Sequence, residues 1–597
     1  VMYRKFIVIV FFFVGFHCFS QNSQLAYSYY QKGEYEKAAV LYKQLYENNK
    51  VRRDYFKQLL SCYQLTDNFA AADKLLANHH QEFPNQKYVL IETGYNFQLQ
   101  EQEEKAIPYY DKAIESINKD PIMGYILGQT FQENHLLDYA LKAYKKAMEL
   151  NPELNYDAYI AFIYGEKADI ENMFKTYLDM VEKNENYYTT VQQYAGRFLS
   201  DDNLDKNNIL FRKLVLKRLQ QNPNNSWNKL LSWLYIQQHD YEKSLTQEIA
   251  LFKRNQENLG RIIELGKTAF NNNDNNAARE AFIYVQKNTN DQSLILNAKL
   301  YLLQIDIRTA STKKEIEAVD VSFQQLFNTY SNAINTLDIQ IAYADFLTFK
   351  RNNPHKAIKI LKDALTKTTS DYQYNSVKLK LADVLVYISK FNEALIYYSQ
   401  IKTHLKNSIL AQKASFKVAQ TSYFKGDFKW ALTQLKVLKK ATSQLIANDA
   451  LELNLLISNN VIGDSISIQA LKKYASADLL AYQNKNEQAI DTLNFIIKVY
   501  KGRSIEDEAF FKRADLFTKV KKYKDAENDY YQIISLQNDG ILVDNAYFKL
   551  GLLYEYKLNN LEKAKEMYQK IIFDFPSSIY LIEARKRFRK LRGDIVN

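Results

Sequence analysis

The sequence predicts an all-α protein built as a solenoid of about 14–15 helical hairpins. One pattern of small and aromatic residues recurs at about 34 residues, which is typical of a stacked helical repeat. Glycine (15) and proline (7) are scarce among 597 residues, which disfavours β-rich and loop-rich folds. Tyrosine (46) and phenylalanine (34) are abundant, as expected if each hairpin places two or three aromatic rings in its core.

The repeat is clearest between Lys87 and Glu153, where one helical hairpin is written twice. Ala106 and Ala140 are the equivalent anchor positions, 34 residues apart. A glycine lies twelve residues before each anchor, and a tyrosine lies four residues after it. The small residues are expected where helices cross, because overpacking there costs about 1–3 kcal/mol. Apolar residues at spacings of three and four complete the buried faces.

These two copies, with Asn151-Pro152 closing the second, resemble the tetratricopeptide repeat family. The resemblance implies a right-handed superhelical solenoid that binds proteins in a concave groove. The anchor position can be followed along most of the chain, at Ala38, Ala72, Ala106, Ala140, Met173, Ser244, Ala278, Ala357, Ala394, Ala431, Ala489, Ala526 and Ala564.

The spacing of the anchors predicts the domain organisation. Residues 21–290 are expected to form an N-terminal repeat array, with a degenerate repeat at 187–223. The register is lost over 291–335, which predicts a joint of longer helices. A second array is expected over 336–577, with a helical insert near 447–468, followed by a basic capping helix and tail at 578–597.

The C-terminal repeats have a more specific resemblance. Between residues 470 and 592, the segment Ala546–Gly551 and the run Phe573–Ser578 resemble tetratricopeptide proteins of the Gram-negative envelope, of the BamD-like and CpoB-like kind. The resemblance implies a role in an envelope assembly, such as outer-membrane biogenesis, secretion or motility machinery.

The first twenty residues read as an export signal. Arg4 and Lys5 form a basic start, Phe6–Phe16 is an apolar run too short to span a bilayer, and cleavage is expected before Gln21. An uncleaved anchor and a lipidated Cys18 are the alternatives. The predicted location is therefore the periplasm, with peripheral association with the outer membrane left open. After cleavage Cys62 is the only cysteine, so no intramolecular disulfide is expected.

The sequence contains no pattern that predicts an enzyme, a metal site or a cofactor. The signatures of zinc proteases, serine hydrolases, phosphate loops and dinucleotide-binding folds do not occur. His79 and His80 are adjacent on a predicted helix and diverge by about 100°, which is poor geometry for a shared metal. The net charge is +11, but basic and acidic residues are mixed along the chain, so nucleic acid is not predicted as a partner.

Two candidate binding surfaces remain. By resemblance to the family, the first helices of the hairpins line a groove in which one or more envelope proteins bind. Aromatic and amide side chains there suit an extended peptide or a helix. The candidate groove residues are Tyr95, Gln98, Gln129, Gln132, Phe162, Trp233, Asp383, Gln420 and Tyr423. Packing against the neighbouring helix is the alternative role for each. A polysaccharide- or peptidoglycan-binding protein is the alternative function, because tyrosine-rich grooves also stack on sugars.

The second candidate surface is the terminal basic helix. Its candidate docking residues are Arg585, Lys586, Arg589 and Arg592, which outnumber the nearby acidic residues. Such a helix can dock on an acidic partner or on an anionic membrane. The alternative is a solvated capping helix, which the end of a solenoid requires.

Overall fold

The chain is helical throughout the residues that its computed structural model describes, which are 22–255, 259–331, 334–438, 444–461, 464–536 and 540–593. In these residues we find 32 α-helices, three short 3-10 helices and no β-strand. The predicted all-α fold is confirmed. Taken in pairs along the chain, the helices give fifteen hairpins and two additional helices, in agreement with the predicted number.

The chain forms two compact units. Of the described residues, 22–200 and 207–230 belong to the first unit, and 201–206 and the residues from 231 onward belong to the second. The helices up to the boundary are α1 22–31, α2 Tyr35–Asn48, α3 Arg53–Leu65, α4 Phe69–Glu82, α5 Tyr88–Leu99, α6 Glu103–Ser116, α7 Met123–Glu133, α8 Leu137–Leu150, α9 Asp157–Glu166, α10 Ile170–Lys183, α11 Tyr188–Ala195, α12 Lys206–Gln221 and α13 Asn225–Gln237, with 3-10 helices at Glu185–Tyr187 and Gly196–Phe198.

Apart from residues 201–206, the second unit extends from residue 231 within α13 to the last described residue. Its helices are α14 Tyr241–Asn255, α15 Gly260–Asn271, α16 Asn275–Lys287, α17 Gln292–Thr309, α18 Lys313–Tyr330, α19 Leu337–Phe349, α20 Pro354–Leu365, α21 Asp371–Tyr387, α22 Phe391–His404, α23 Ile409–Lys425, α24 Phe428–Leu438, α25 Gln444–Val461, α26 Ser465–Tyr482, α27 Asn486–Val499, α28 Ile505–Lys519, α29 Tyr523–Leu536, α30 Val543–Tyr556, α31 Leu561–Asp574 and α32 Leu581–Arg592, with a 3-10 helix at Ile334–Thr336.

The anchor residues are buried at the helix crossings. All the alanine anchors, together with Met173 and Ser244, are fully buried. The crossings are close: a Cβ added at Gly128 would lie 2.5 Å from the ring of Tyr144, and one added at Gly551 would lie 2.4 Å from Tyr568. At these two crossings the glycine allows the helices of the hairpin to approach, and the tyrosine four residues after the anchor fills the space beside it.

A left-handed residue five positions before the anchor makes the turn inside thirteen of the described hairpins. This residue has φ between 50° and 83° at Gly33, Asp67, Glu101, His135, Ala168, His239, Asn273, Asn352, Ser389, Gly426, Asn484, Lys521 and Asn559. In the third hairpin, the N–H of Gln102 donates to the carbonyl of Phe97 at 2.9 Å across this turn. This is the hydrogen bond of a Schellman helix end. The repeated turn sets the close antiparallel packing of each pair.

Other predicted segments can now be compared with the elements. The predicted joint at 291–335 contains α17 and α18, of 18 residues each, whereas the boundary between the compact units lies near residues 200–231. The predicted insert near 447–468 contains α25, which has no partner helix in the hairpin series. The predicted export signal lies outside the described residues. Among the helices that are described, none is long and apolar enough to cross a membrane.

Candidate functional site

Three neighbouring first helices of the first unit present aromatic and amide side chains on one face. Tyr95 and Gln98 lie one turn apart on α5, and Tyr159 and Phe162 lie one turn apart on α9. Between these pairs, α7 contributes side chains at spacings of four and three, which are Tyr125, Gln129 and Gln132. All seven residues are exposed or half-buried. We call this set the aromatic–amide face.

Contacts between helices hold the aromatic–amide face in place. The rings of Tyr125 and Tyr159 are 5.5 Å apart in an edge-to-face arrangement, which joins α7 to α9. Tyr159 also stacks on the buried Tyr144 at 5.5 Å. Burial raises the pKa of Tyr144 above its ordinary value, so this phenol stays neutral and packs as an apolar ring. The exposed rings are therefore anchored on a rigid core.

Amide groups of the face also have fixed positions. The Tyr110 hydroxyl donates to Gln98 Oε1 at 2.7 Å, and Gln132 Nε2 donates to Glu166 Oε2 at 3.3 Å. These bonds orient the amides and leave other donor and acceptor atoms exposed. Phe162 has the most accessible ring of the face, with 46% of its surface exposed. Such a face can pair aromatic contacts with hydrogen bonds to a peptide backbone.

Sequence reasoning missed Tyr125 and Tyr159, which are 38% and 40% exposed. A signal was present, because Tyr125 precedes Gln129 by four residues and Tyr159 precedes Phe162 by three. Residues at those spacings share a helix face. The positions predicted from the family include Gln129 on α7 and Phe162 on α9, but they leave out the exposed tyrosine one turn earlier on each of these two helices.

A charged cluster lies beside this face in the first unit. Arg53 on α3 donates to the Thr130 hydroxyl on α7 at 2.8 Å, and Lys57 lies 3.3 Å from the buried carboxylate of Glu92 on α5. Lys57 also forms an ion pair with Glu133. The cluster links α3, α5 and α7 through charge-assisted contacts, which stabilise the order of these helices.

In the second unit, the prediction that Tyr423 and Asp383 line a groove is wrong, because both residues are buried. Tyr423 is 1% exposed and donates to Asp478 Oδ2 at 2.8 Å, so it is a core residue and does not line a groove. Asp383 is 9% exposed and accepts the hydroxyl of Tyr398 at 2.7 Å. Gln420 is half-buried and accepts from Lys417 at 3.2 Å. Trp233 is half-buried on α13.

The physical reason is that α26 and the turn after it pack against the first helices of earlier hairpins. The Tyr482 hydroxyl donates to the carbonyl of Asp383 at 3.2 Å, and Gln483 Nε2 donates to the carbonyl of Tyr387 at 2.8 Å. Asn484 Nδ2 donates to the carbonyl of Phe349, 135 residues earlier, at 2.8 Å. The end of α26 and the turn after it therefore cover a surface of α19, α21 and α23 that the repeat pattern alone would leave exposed.

Ion pairs link successive first helices of the second unit. Lys380 lies 2.5 Å from Asp345, Lys512 lies 2.7 Å from Asp478, and Lys549 lies 3.1 Å from Asp515. Burial alone would lower the pKa of Lys380, but Asp383 and Asp345 raise it above the ordinary lysine value. We call this series the ion-pair ladder. Its charges are mutually compensated, so it holds the hairpins together and does not present a surface of one sign.

The four residues predicted for the basic docking helix are all exposed on α32. Lys586 forms an ion pair with Asp201, and the Arg592 guanidinium lies over the ring of Phe588 at 5.4 Å. Arg587, which was not among the candidates, is held by Glu555 at 3.0 Å and Glu583 at 2.8 Å. Arg587 therefore attaches the helix, and the four predicted residues face solvent.

The remaining side chains that could bind a metal or act as a nucleophile have structural roles. In the described ranges no group of three or more His, Cys, Asp or Glu side chains is placed to hold a metal ion. The Tyr46 hydroxyl and Gln86 make hydrogen bonds with the two ring nitrogens of buried His79, at 2.8 Å and 2.9 Å. Burial raises the pKa of the Cys62 thiol to about 11, which keeps it protonated and a poor nucleophile.

Comparison with known proteins places one hairpin in a family. The tetratricopeptide repeat family matches residues 545–578, which contain most of α30 and all of α31. No curated protein matches the chain.

Two solved structures are similar to the chain at low identity. The Naa15/Naa10 complex bound to HypK-THB is 12% identical over 90% of this chain and 96% of that chain, with a TM-score of 0.27. The APC/C hetero-tetramer Cut9-Hcn1 is 12% identical over 95% of both chains, with a TM-score of 0.23. Scores of this size indicate nothing about the partners of this chain. The tetratricopeptide match covers one hairpin, and hairpins of the same kind recur along the residues that the structure describes.

Proposed function

We propose that the chain is a non-catalytic scaffold that binds an extended protein segment on the aromatic–amide face of its first unit. Tetratricopeptide-type repeats suggest a protein-interaction scaffold in general. The composition and exposure of the aromatic–amide face support this surface as the binding site. The observation that carries the proposal is the alignment of exposed Tyr125, Tyr159 and Phe162 with the amides of Gln98 and Gln129 across three adjacent helices.

The energetics of this face suit a peptide. Exposed aromatic rings on a rigid base lose little conformational entropy on binding and dominate many interfaces. Amide side chains beside them can pair with the backbone N–H and C=O groups of an extended segment, which has no internal partners for those groups. The ion-pair ladder of the second unit is self-compensated and offers neither feature.

For the cellular setting, we propose export to the periplasm of a Gram-negative bacterium and a role in an envelope assembly. This rests on the export signal read in the first twenty residues and on the resemblance of residues 470–592 to envelope repeat proteins. In that setting the partners are envelope proteins, and the chain needs no metal or cofactor.

The proposal is tested by affinity purification of the full chain from crosslinked envelopes. The compared variants are Phe162→Ala alone, Tyr159→Ala with Phe162→Ala, and the control Ile107→Ala on α6. Ile107 is 43% exposed, close to the 46% of Phe162, but lies on a second helix away from the face. Loss of the rings is expected to cost about 2 kcal/mol or more, which reduces capture of a specific protein roughly 30-fold.

Equal recovery of the same proteins by the wild type and all variants would contradict the proposal. Tyr159 also packs on Tyr144, so its replacement could disturb folding. Phe162 is more exposed, and Phe162→Ala alone therefore tests binding with less effect on folding. The second candidate function, glycan binding, is favoured by the same exposed rings. Retention on peptidoglycan or polysaccharide that the double substitution abolishes, with no protein captured, would support it instead.

A further inference from the structure

The last described helix, α32, occupies the position of the first helix of a further hairpin. Ala584 is fully buried, as is Ala546 on α30, 38 residues earlier. Arg587 forms an ion pair with Glu555 on α30, just as Lys549, also 38 residues earlier, pairs with Asp515 on α28. These equivalences fix the register between α30 and α32.

That register shows which residues of α32 lie on the side where a partner helix would pack. On α30 this side contains Gly551, which the ring of Tyr568 on α31 approaches so closely that no Cβ fits. The equivalent position on α32 is Arg589. Tyr547, whose ring lies 5.8 Å from that of Phe575, is replaced by Arg585. Long cationic side chains at these positions prevent a further helix from packing in the same way.

One side of α32, where Lys586 pairs with Asp201, combines positive charge with exposed aliphatic residues. Ile582, Arg585, Lys586 and Arg589 are spaced three and four residues apart and therefore share one face. Ile582 is 81% exposed, and Ile579 in the preceding turn is 84% exposed. Among the residues that the structure describes, Arg585 and Arg589 have no ion-pair partner, and the nearby Glu583 is occupied by Arg587.

We propose that this face docks on an anionic phospholipid surface, with the arginines against lipid phosphates and the two isoleucines inserted between headgroups. Hot spots of interfaces between proteins combine tyrosine and tryptophan with arginine. Ile582, Arg585, Lys586 and Arg589 include no aromatic residue, and cations next to exposed apolar side chains are typical of helices that lie in a membrane interface. Guanidinium groups also match phosphate geometry. This inference goes beyond protein binding and concerns a different unit.

The test is sedimentation of the full chain with vesicles. One set consists of phosphatidylcholine alone, and the other contains about 30 mol% phosphatidylglycerol, since each basic residue near an anionic surface contributes about 1 kcal/mol. The wild type is expected to bind only the anionic vesicles, more weakly as salt is raised. Arg585→Glu with Arg589→Glu is expected to reduce the affinity at least about 30-fold. Ile579→Ser with Ile582→Ser is expected to reduce it about tenfold or more, although the charge is unchanged.

The matched control is Lys359→Glu with Lys362→Glu on α20, which makes the same change in net charge at two other exposed positions. Its binding should stay near that of the wild type. Equal losses in the control and in the arginine variant would overturn the proposal, because net charge alone would then explain binding. Absence of binding to anionic vesicles would also overturn it. So would full binding by the isoleucine variant, which would favour an acidic protein partner recognised by charge.

Discussion

Lys549 on α30 places its Nζ atom 3.1 Å from Oδ1 of Asp515 on α28, which lies 34 residues earlier in the preceding hairpin. Asp515 also accepts the hydroxyl of Tyr530, the aromatic residue of its own hairpin, at 2.7 Å. One carboxylate therefore connects the core of one hairpin to the first helix of the next. Lys512 and Asp478 repeat the ion pair one step earlier.

This ladder predicts energetic coupling between neighbouring hairpins. Lys512→Met, Asp478→Asn and the double substitution form a mutant cycle, measured by urea unfolding. We expect a coupling free energy of about 1–2 kcal/mol, because the side chain of Asp478 is only 14% exposed and keeps the hydrogen bond from Tyr423 but loses its ion pair when Lys512 is removed.

The exposed pair Lys522–Glu487 is the control cycle, with side chains 46% and 67% exposed. Water screens this pair, so its coupling should stay below about 0.5 kcal/mol. Equal coupling in the two cycles would show that burial does not strengthen the ladder.

The left-handed turn predicts opposite effects of glycine at two nearby alanines. Ala168 has φ 57° in the turn between α9 and α10, whereas Ala158 is exposed within α9. A left-handed alanine costs about 1–2 kcal/mol, so Ala168→Gly should raise the free energy of unfolding by about 0.5–1 kcal/mol after the greater flexibility of unfolded glycine is included.

Ala158→Gly should lower the free energy of unfolding by about 1 kcal/mol, because glycine is a poor helix former. Thermal unfolding of both variants checks the sign. Destabilisation of similar size in both would contradict the left-handed turn at residue 168.

A carboxyl group in the second unit predicts a specific pH dependence. Burial, assisted by the carboxylates of Asp507, Glu452 and Asp478, raises the pKa of Glu508 from 4.5 to about 8. Lys512, four residues further along α28, pairs with Asp478. Between about pH 4.5 and 8 the folded chain keeps the Glu508 proton that the unfolded chain has lost, so stability falls as pH rises through this window.

Glu508→Gln removes this loss because the amide does not ionise. The variant should be similar to the wild type near pH 4 and more stable near pH 8–9 by about 1–3 kcal/mol, a value reduced for partial access of water. Urea unfolding across this range measures the difference. A constant difference at every pH would contradict the raised pKa.

The fold could be predicted because its signal is local. Ala106, Ala140 and Ala564 sit at crossings that only small residues allow, and all three are fully buried. Their spacing alone therefore locates the hairpins. The left-handed turn five residues before each anchor was not predicted as a repeated feature, since it uses residues without a turn signal, such as Glu101 and Lys521, as well as the glycines and asparagines that favour this conformation.

The surfaces were harder to predict because burial there depends on distant parts of the chain. Tyr423 occupies a family groove position, but α26, after the extra helix α25, packs beside it and supplies Asp478 as its partner. The repeat pattern contains no information on that insertion. The ion-pair ladder did leave a signal in the sequence: a lysine lies fourteen residues, and an aspartate eleven residues, before both Ala394 and Ala526. This signal predicts ion pairs only once the stacking of neighbouring hairpins is known.

Site-specific photo-crosslinking shows whether the aromatic–amide face binds a protein. A benzophenone amino acid replaces Phe162 on the aromatic–amide face or, as the control, Ile107 on α6, and the full chain is irradiated in its native envelope. We expect a reproducible protein adduct from position 162 that is absent from position 107 and is lost when Tyr159→Ala is added. Adducts of equal yield from both positions, or a glycan adduct alone from position 162, would contradict it.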